Sequence, residues 1–248
     1  MLLVLKIDKV CKTFSSNEPG EKKIFDGLSL QAHSGDFITV IGGNGAGKST
    51  LMNLIAGSIF PDSGKIYIDN VDVTYVAEHK RAKWIGRVFQ DPLKGTAPNL
   101  TIEENLSLAL LRHSTKNLKL SINKKSSELF KEKLLILNLG LEDRLKTKVG
   151  LLSGGQRQAL TLLMATIVQP KILLLDEHTA ALDPKSRDNI LNLTDKITKN
   201  SQMITLMITH NMEHAVNLGN RTIMVDSGKI QMDVKENQRK TINFDFEN

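Results

Sequence analysis

Residues 42–49 read Gly-Gly-Asn-Gly-Ala-Gly-Lys-Ser, and this stretch decides the fold. It matches the spacing G-x-x-x-x-G-K-[ST], in which glycines let consecutive backbone N–H groups curl around phosphate oxygens. Residues 37–42 before it form an apolar, β-branched run that predicts a short buried strand. Residues 50–57 after it have leucines and isoleucine at helical spacing and end in glycine. A strand, this loop and a helix in that order predict a phosphate-binding site at a helix N-terminus.

The side chains of the loop suit a nucleotide. Lys48 can reach the β- and γ-phosphates, and the hydroxyl of Ser49 can ligate Mg²⁺. A glycine-rich turn that only caps a helix is the alternative, and the flanking strand and helix make it the weaker one. The other loop residues that we expect at the nucleotide are Gly42, Gly43, Asn44, Gly45, Ala46, Gly47 and Thr50.

A second pattern consists of an apolar strand that ends in two carboxylates, at residues 173–177. Asp176 can hold Mg²⁺ through water, and Glu177 can orient or deprotonate an attacking water. An Asp-Glu pair after a strand is common in loops, so alone it is a weak signal. Together with the phosphate loop it predicts that the nucleotide is hydrolysed.

Composition limits the remaining choices. The chain has 248 residues, which allows one large domain or two small ones, and a single cysteine, which excludes a disulfide scaffold. No stretch of about 18 residues lacks a charge, and the N-terminal apolar run is too short for a signal peptide. We therefore expect a soluble protein of a reducing compartment. The net charge of +6 is interspersed and aromatic residues make up 4%, so nucleic acid is not expected as a partner.

The rest of the chain alternates between strand and helix patterns. Residues 60–74 predict a turn, a strand, a second turn and a second strand. Ser227-Gly228 separates the last two apolar runs, which predicts a hairpin at a sheet edge. The later apolar runs predict strands at 171–176, 203–209, 222–226 and 229–233. The fold class is therefore α/β.

Residues 93–150 are helical in pattern. Thr101 and Glu104 predict a capping box, after which Ile102, Leu106, Ala109 and Leu110 share one face. A second helix is predicted from Ser127 to about Leu139, ending at Gly140. The basic stretch 113–127 between them predicts a loop or a frayed helix end. We expect one domain over 1–248, with a core of 1–92 and 151–248 and a helical subdomain of 93–150.

The run Leu152-Ser153-Gly154-Gly155-Gln156, 23 residues before Asp176, adds a second anion site. Its serine predicts an N-cap for a helix that continues to about Gln169, with glycines exposing backbone N–H groups. With the two patterns above, this signature motif resembles that of the ATP-binding cassette (ABC) ATPases, and the resemblance covers the chain from Phe14 to about Lys229. It implies a P-loop NTPase core with a mainly parallel sheet, an antiparallel N-terminal β region and a helical insert.

The resemblance also implies roles for single residues. The signature motif, Ser153 with Gly154, Gly155 and Gln156, would close over the γ-phosphate held by the phosphate loop of another subunit. Gln90 would contact Mg²⁺ and the water, His210 the γ-phosphate and Asp183 the dimer interface, while Phe14 would stack on adenine. The implied cofactors are ATP and Mg²⁺, with Glu177, His210 and Gln90 catalytic and Ser49, Gln90 and Asp176 at the metal.

Three positions depart from the family pattern. Gly43 and His178 stand where proline is commoner, and Ala180 stands where serine is usual. None of these changes removes a catalytic group, so the resemblance still implies an active ATPase. A solvated or packed histidine is the expected state of His178.

The resemblance implies partners as well. Membrane permease subunits on separate chains would dock at the helical insert near Gln90, and ATP would join two copies of the chain into a homodimer at the cytoplasmic face of the membrane. The runs around Gln90 and Asp176 are similar to importer ATPases that act with substrate-binding lipoproteins, including proposed tryptophan or tyrosine uptake systems. The alternative is a soluble single-domain ATPase of the iron–sulfur cluster assembly type. A chromosome ATPase is disfavoured because only about 60 residues separate Gln90 from Ser153.

Overall fold

The computed structural model describes residues 2–15, 21–112, 124–199 and 201–239. The strands are β1 (Leu3–Ser15), β2 (Glu21–His33), β3 (Phe37–Ile41), β4 (Ser63–Ile68), β5 (Val71–Asp72), β6 (Ile85–Val88), β7 (Ile172–Asp176), β8 (Ile204–Ile208), β9 (Arg221–Asp226) and β10 (Lys229–Lys235). The helices are α1 (Lys48–Ala56), α2 (Glu78–Arg81), α3 (Ile102–Leu111), α4 (Lys124–Leu135), α5 (Gly154–Thr166), α6 (Pro184–Thr198), α7 (Met212–Asn217) and α8 (Glu236–Arg239). Within these ranges no helix is both long enough and apolar enough to cross a bilayer.

The chain divides into two compact units. The first comprises Met1–Ile85 with Asn200–Asn248, and the second comprises Gly86–Lys199. The division into 1–92, 93–150 and 151–248 stays a prediction.

The first unit contains an antiparallel sheet in the order β2-β1-β4-β5 and the neighbouring strands β10-β9-β3-β8 of a second sheet. All five residues of β3 are buried, and β3 runs parallel to both β8 and β9. Such burial on both faces explains the uninterrupted apolar runs in these strands. The edge strand β10 pairs antiparallel with β9, so the predicted hairpin is confirmed, as is the mixed α/β fold with its antiparallel N-terminal sheet.

In the first unit, helix α1 follows β3 after the loop of residues 42–47 and has glycine at both ends. Gly47 precedes it with φ 101°, and Gly57 ends it with φ 82°, where the Gly57 N–H donates to Asn53 O. The left-handed region is open to glycine without steric cost, which explains why the helix begins and ends at these two residues.

The second unit contains β6, β7 and the helices α3 to α6. Helix α3 begins with the predicted capping box, in which the Thr101 hydroxyl accepts from the Glu104 N–H and Glu104 accepts from the Thr101 N–H. This reciprocal pairing satisfies two donors that the first turn of a helix otherwise leaves without a partner.

The predicted bounds of two helices in the second unit were wrong. Helix α4 spans Lys124–Leu135 rather than Ser127–Leu139, because the chain turns at Asn138, whose φ is 53°. Helix α5 ends at Thr166 rather than near Gln169. At this end the Arg112 guanidinium donates hydrogen bonds to the carbonyl oxygens of Ala165 and Val168. Of the basic stretch, 124–127 belongs to α4, whereas 113–123 lies outside the described residues.

Candidate active site

The phosphate loop, residues 42–49, has a backbone that only glycine can adopt at two points. Gly42 has φ 149°, and a Cβ atom there would lie 2.2 Å from the carbonyl oxygen of Val225. Gly47 has φ 101°, and a Cβ atom there would lie 2.9 Å from ring carbons of Phe25. The loop is therefore packed closely against β9 and β2, within the first unit. This rigid backing fits a loop that must hold a preformed anion site.

Lys48 and Ser49 open helix α1 at the end of this loop. The Lys48 side chain is 6% exposed, and its Nζ donates to Gly42 O at 2.8 Å and to Gly43 O at 2.9 Å. The ammonium group is thus held over the loop, while Ser49 is exposed in the first turn of α1. Because the N-terminal N–H groups of a helix favour negative charge, this end of α1 fits a phosphate group.

The predicted adenine contact lies on the strand beside β2. Phe14 of β1 is 39% exposed and pairs with Lys22 of β2. Lys22 Nζ in turn approaches within 3.6 Å of the Cβ position at Gly45, so β2 reaches the phosphate loop. The structure therefore places an exposed aromatic ring one strand away from a lysine that contacts the loop, which suits stacking on a base.

His210 shares a sheet edge with the phosphate loop. It follows β8 directly, and β8 is the parallel neighbour of β3 with Val40 opposite Ile208. Parallel strands end at the same edge of a sheet, so His210 and residues 42–49 both lie at the edge formed by the carboxyl ends of β8 and β3. The His210 side chain is exposed. This placement fits the role that the resemblance implies for His210.

The carboxylate pair and Gln90 belong to the second unit. Asp176 ends β7, with its Oδ2 3.6 Å from Arg87 Nη2. Burial raises the pKa of Asp176, against the lowering effect of Arg87. Gln90 is exposed in the bend after β6, which is next to β7 in the sheet order. The structure thus brings Asp176 together with β6, the strand that precedes Gln90.

Glu177 has a strained backbone. Its φ is 45°, and its carbonyl accepts from the Ala180 N–H at 2.9 Å. Left-handed φ values are uncommon for residues other than glycine and concentrate at functional positions. The next residue, His178, is buried and its Nε2 lies 3.2 Å from Thr194 Oγ1 of α6. His178 is therefore a packed histidine, which is one of the two states expected for it.

The signature motif opens helix α5 as predicted. The Ser153 hydroxyl accepts from the Gln156 N–H, and Gln156 Oε1 accepts from the Ser153 N–H, both at 3.2 Å. Ser153 and Gly154 are exposed. The Arg157 guanidinium holds the preceding turn by donating to the carbonyls of Gly150 and Leu152. The motif is therefore an exposed helix N-terminus with a fixed entry, suitable for an anion.

Asp183 lies close to the signature motif within the second unit. It caps α6 by accepting from the Ser186 N–H at 3.0 Å, and hydrogen bonds from the Ser186 side chain and from that N–H lower the pKa of Asp183. A Cβ atom at Gly155 would lie 2.8 Å from Ser186 Oγ, so the first turns of α5 and α6 touch. The structure therefore places Asp183 and Gly155 on adjoining helix starts.

Residues 25–180 match the protein family described as "ABC transporter". The chain belongs to the ABC transporter family. It is 45% identical over 240 residues to the tyrosine transport ATP-binding protein of Clostridioides difficile (strain R20291), covering 96% of this chain and 95% of that protein. It is 34% identical over 239 residues to the energy-coupling factor transporter ATP-binding protein EcfA2 of Clostridium tetani (strain Massachusetts / E88), covering 94% and 80%.

A solved structure supports the same assignment. The dimeric post-hydrolysis state of the ATP-binding cassette MJ0796, bound to ADP and Pi, superposes with a TM-score of 0.78 at 28% identity and covers 94% of this chain and 98% of that one. The protein is accordingly an ABC ATPase, which binds nucleotide and hydrolyses ATP.

Each unit of this ABC ATPase, taken by itself, supplies oxygen donors of the kind that Mg²⁺ uses: Ser49 in the first unit, and Gln90 and Asp176 in the second. Among the residues that the structure covers, no cluster of three His, Cys, Asp or Glu side chains could cage a metal. The candidates are instead a hydroxyl, an amide and one carboxylate, from Ser49, Gln90 and Asp176. Mg²⁺ prefers such hard oxygen donors, and it commonly uses one or two carboxylates plus substrate phosphates.

Sequence reasoning missed three polar side chains of this ABC ATPase. Arg87 pairs with Asp176, and Arg157 fixes the turn before the signature motif. Gln158 of α5 is fully buried and its Nε2 donates to Phe89 O at 3.3 Å, which ties the signature helix to the backbone before Gln90. The sequence offered two signals for these residues: Arg87 is a charged residue inside the buried run of β6, and Gln158 lies on the buried face of α5.

Proposed function

We propose that this chain is the ATP-hydrolysing subunit of a bacterial ABC importer at the cytoplasmic face of the membrane. It acts on separate permease subunits and dimerises when it binds ATP. A groove lined by residues 94–97, α3 and α5 of the second unit supports the transport part of this proposal. The relative from Clostridioides difficile is a tyrosine transport ATP-binding protein, which supports aromatic amino acids as the cargo. We propose a substrate-binding lipoprotein as the outer partner.

In this proposal each site residue has one task in hydrolysis. Lys48 holds the β- and γ-phosphates, and Ser49, Gln90 and Asp176 would hold the Mg²⁺, Asp176 through water. When bound, the metal would neutralise charge on the phosphate oxygens. Glu177 accepts the proton of the attacking water. Its left-handed backbone supports this role, because such conformations concentrate at functional positions.

The remaining site residues act on the γ-phosphate and the base. His210 donates to the γ-phosphate from the same sheet edge as the loop, and Phe14 stacks on adenine. Ser153 and the first N–H groups of α5 donate to the γ-phosphate of ATP held by a second copy of the chain. The exposure of Ser153 and Gly154 supports this, since both must be reachable from outside.

The docking groove lies between β6, residues 92–97, α3 and α5 of the second unit and has a volume of about 450 Å³. Leu108, Ala109 and Met164 give it an apolar floor, and Arg87, Lys94 and Arg112 give it three positive charges. Within the described residues no acidic side chain lines it. Such a surface fits a short helix that has one apolar face and carries a carboxylate. A cytoplasmic helix of the permease is the partner that we propose.

Cross-linking tests the docking. In a Cys11→Ser background, Ala109→Cys places a thiol in the groove, and Leu129→Cys places one on the exposed surface of α4 as the matched control. Each variant is co-expressed with a candidate permease subunit, in which cysteines are introduced along the cytoplasmic loops. We expect disulfide cross-links from residue 109 and none from residue 129. Cross-links from 109 only to soluble proteins would instead favour the iron–sulfur cluster assembly alternative.

A further inference from the structure

The Arg87 side chain touches two functional parts of the second unit at once. Its Nη2 lies 3.6 Å from Oδ2 of Asp176, and the side chain is 12% exposed. Its guanidinium carbon lies 4.6 Å from the ring centroid of Phe89, two residues farther along. Stacking on an aromatic face restricts the orientation of a guanidinium group. Arg87 is therefore fixed between the metal carboxylate and the residue that precedes Gln90.

This contact is the ion pair that orients Asp176. Across the described part of the chain, Asp176 forms no other ion pair. Its neighbour Glu177 carries like charge and repels the Asp176 carboxylate, so it cannot orient that group by attraction. Arg87 contacts the carboxylate at one of its two oxygens, Oδ2. A carboxylate that serves Mg²⁺ depends on such a partner for its direction.

The same guanidinium lines the docking groove. Arg87 lies in its wall together with Lys94 and Arg112, so a carboxylate that enters the groove meets three cations. One of these cations is already engaged with Asp176. A new anion in the groove therefore competes with Asp176 for Arg87, since one guanidinium group is shared between two carboxylates.

We propose that Arg87 is a positioning residue that directs the Asp176 carboxylate toward Mg²⁺ and loosens it when a carboxylate enters the groove. The positioning half stands on the Arg87–Asp176 contact alone. The loosening of Asp176 by a carboxylate in the groove rests on the proposed docking function, because that carboxylate would belong to the docked partner.

Metal binding tests the positioning half without relying on turnover. In the full chain with Glu177→Gln, Mg²⁺ is titrated into the ATP-bound protein by calorimetry, and ATP binding is measured separately in EDTA. We expect Arg87→Gln to raise the half-saturating Mg²⁺ concentration about tenfold, as loss of an outer-shell partner does, and Arg87→Lys to raise it less. ATP binding in EDTA should stay within about twofold of the parent, because Arg87 acts on the metal carboxylate.

The matched control is Arg144→Gln, the same chemical change in the same unit without an Asp176 contact. It should leave the half-saturating Mg²⁺ concentration at the parent value. The positioning role is overturned if Arg87→Gln behaves like this control, if it tightens Mg²⁺ binding, or if it weakens ATP binding in EDTA by the same factor, which would mean general damage to the fold.

A carboxylate built into the groove tests the second half. Ala109→Glu and the isosteric Ala109→Gln differ by one charge at a residue that lines the groove. We expect the half-saturating Mg²⁺ concentration of Ala109→Glu to exceed that of Ala109→Gln about fivefold, the scale of one partly exposed ion pair. The difference should vanish when Arg87→Gln is added. Equal half-saturating Mg²⁺ concentrations for Ala109→Glu and Ala109→Gln would overturn the competition for Arg87. A failure of the permease cross-links would overturn only the docking function.

Discussion

The Arg81 guanidinium donates from Nη1 to the carbonyl oxygen of Leu54 at 2.7 Å, deep inside the first unit. The same group donates to the carbonyls of Ile55, Thr74 and Val76, and the residue is fully buried. Burial lowers the pKa of Arg81 to about 10, which still leaves it charged at neutral pH. Arg81 therefore caps the C-terminus of α1, the helix that carries Lys48 at its other end.

We expect Arg81→Met to destabilise the protein by about 3–5 kcal/mol, because several buried carbonyls lose their donor at once. Urea unfolding followed by circular dichroism measures the change in the free energy of unfolding. Lys80→Met, an exposed neighbour on the same short helix, should change it by less than about 0.5 kcal/mol. Equal effects of the two substitutions would contradict the capping role.

Lys48→Ala should weaken ATP binding about 10- to 100-fold, since it removes a charge-assisted hydrogen bond worth about 1.5–3 kcal/mol. Calorimetric titration of ATP into the purified chain measures the dissociation constant. Lys65→Ala serves as the control, because Lys65 pairs with Asp72 on the surface of the same unit. An unchanged ATP affinity for Lys48→Ala would remove Lys48 from the phosphate cradle.

Glu177→Gln should keep ATP binding and lower turnover by about 10²–10⁴-fold, the usual contribution of a general base. Phosphate release under saturating Mg²⁺ and ATP gives the rate, and calorimetry gives the affinity. The exposed Glu132→Gln on α4 is the matched control and should hydrolyse ATP at the wild-type rate. If a folded Glu177→Gln protein turned over normally, another group would have to accept the proton.

Much of the fold was predictable because burial acts on consecutive residues. The runs at 37–41, 172–176 and 204–208 are buried throughout or nearly so, and each was found from its apolar pattern. The capping box at Thr101 was found for a similar reason, since both partners lie within one turn. Local signals of this kind need no knowledge of the rest of the chain.

The parts that sequence reasoning missed depend on distant partners. Arg81 can be buried because carbonyl oxygens 26 and 27 residues earlier accept its hydrogen bonds. Arg87 forms its ion pair because β7 brings Asp176 beside it. The wrong end of α4 has a local cause, because Asn138 rather than Gly140 is the first residue to adopt a left-handed φ after it. The site residues that the resemblance implied were placed by motif order, and their roles stay predictions.

The phosphate loop belongs to the first unit and Ser153 to the second, and both expose donor groups that favour an anion. If each ATP is shared between Lys48 of one copy and Ser153 of another, two ATP molecules join two copies with two-fold symmetry. Without nucleotide, positive helix ends face a basic loop with no anion between them, so the dimer should separate.

Sedimentation velocity of the Glu177→Gln chain tests this arrangement. We expect a monomer without nucleotide and a dimer with ATP, because blocked hydrolysis keeps the shared anion in place. Ser153→Arg should abolish the dimer, since a bulky cation replaces the small cap at the shared phosphate, whereas Ser58→Arg, in an exposed turn after α1, should leave it intact. A monomer at every ATP concentration, or a dimer that survives Ser153→Arg, would exclude the shared site. In that case the signature motif would have to serve an ATP bound to its own chain.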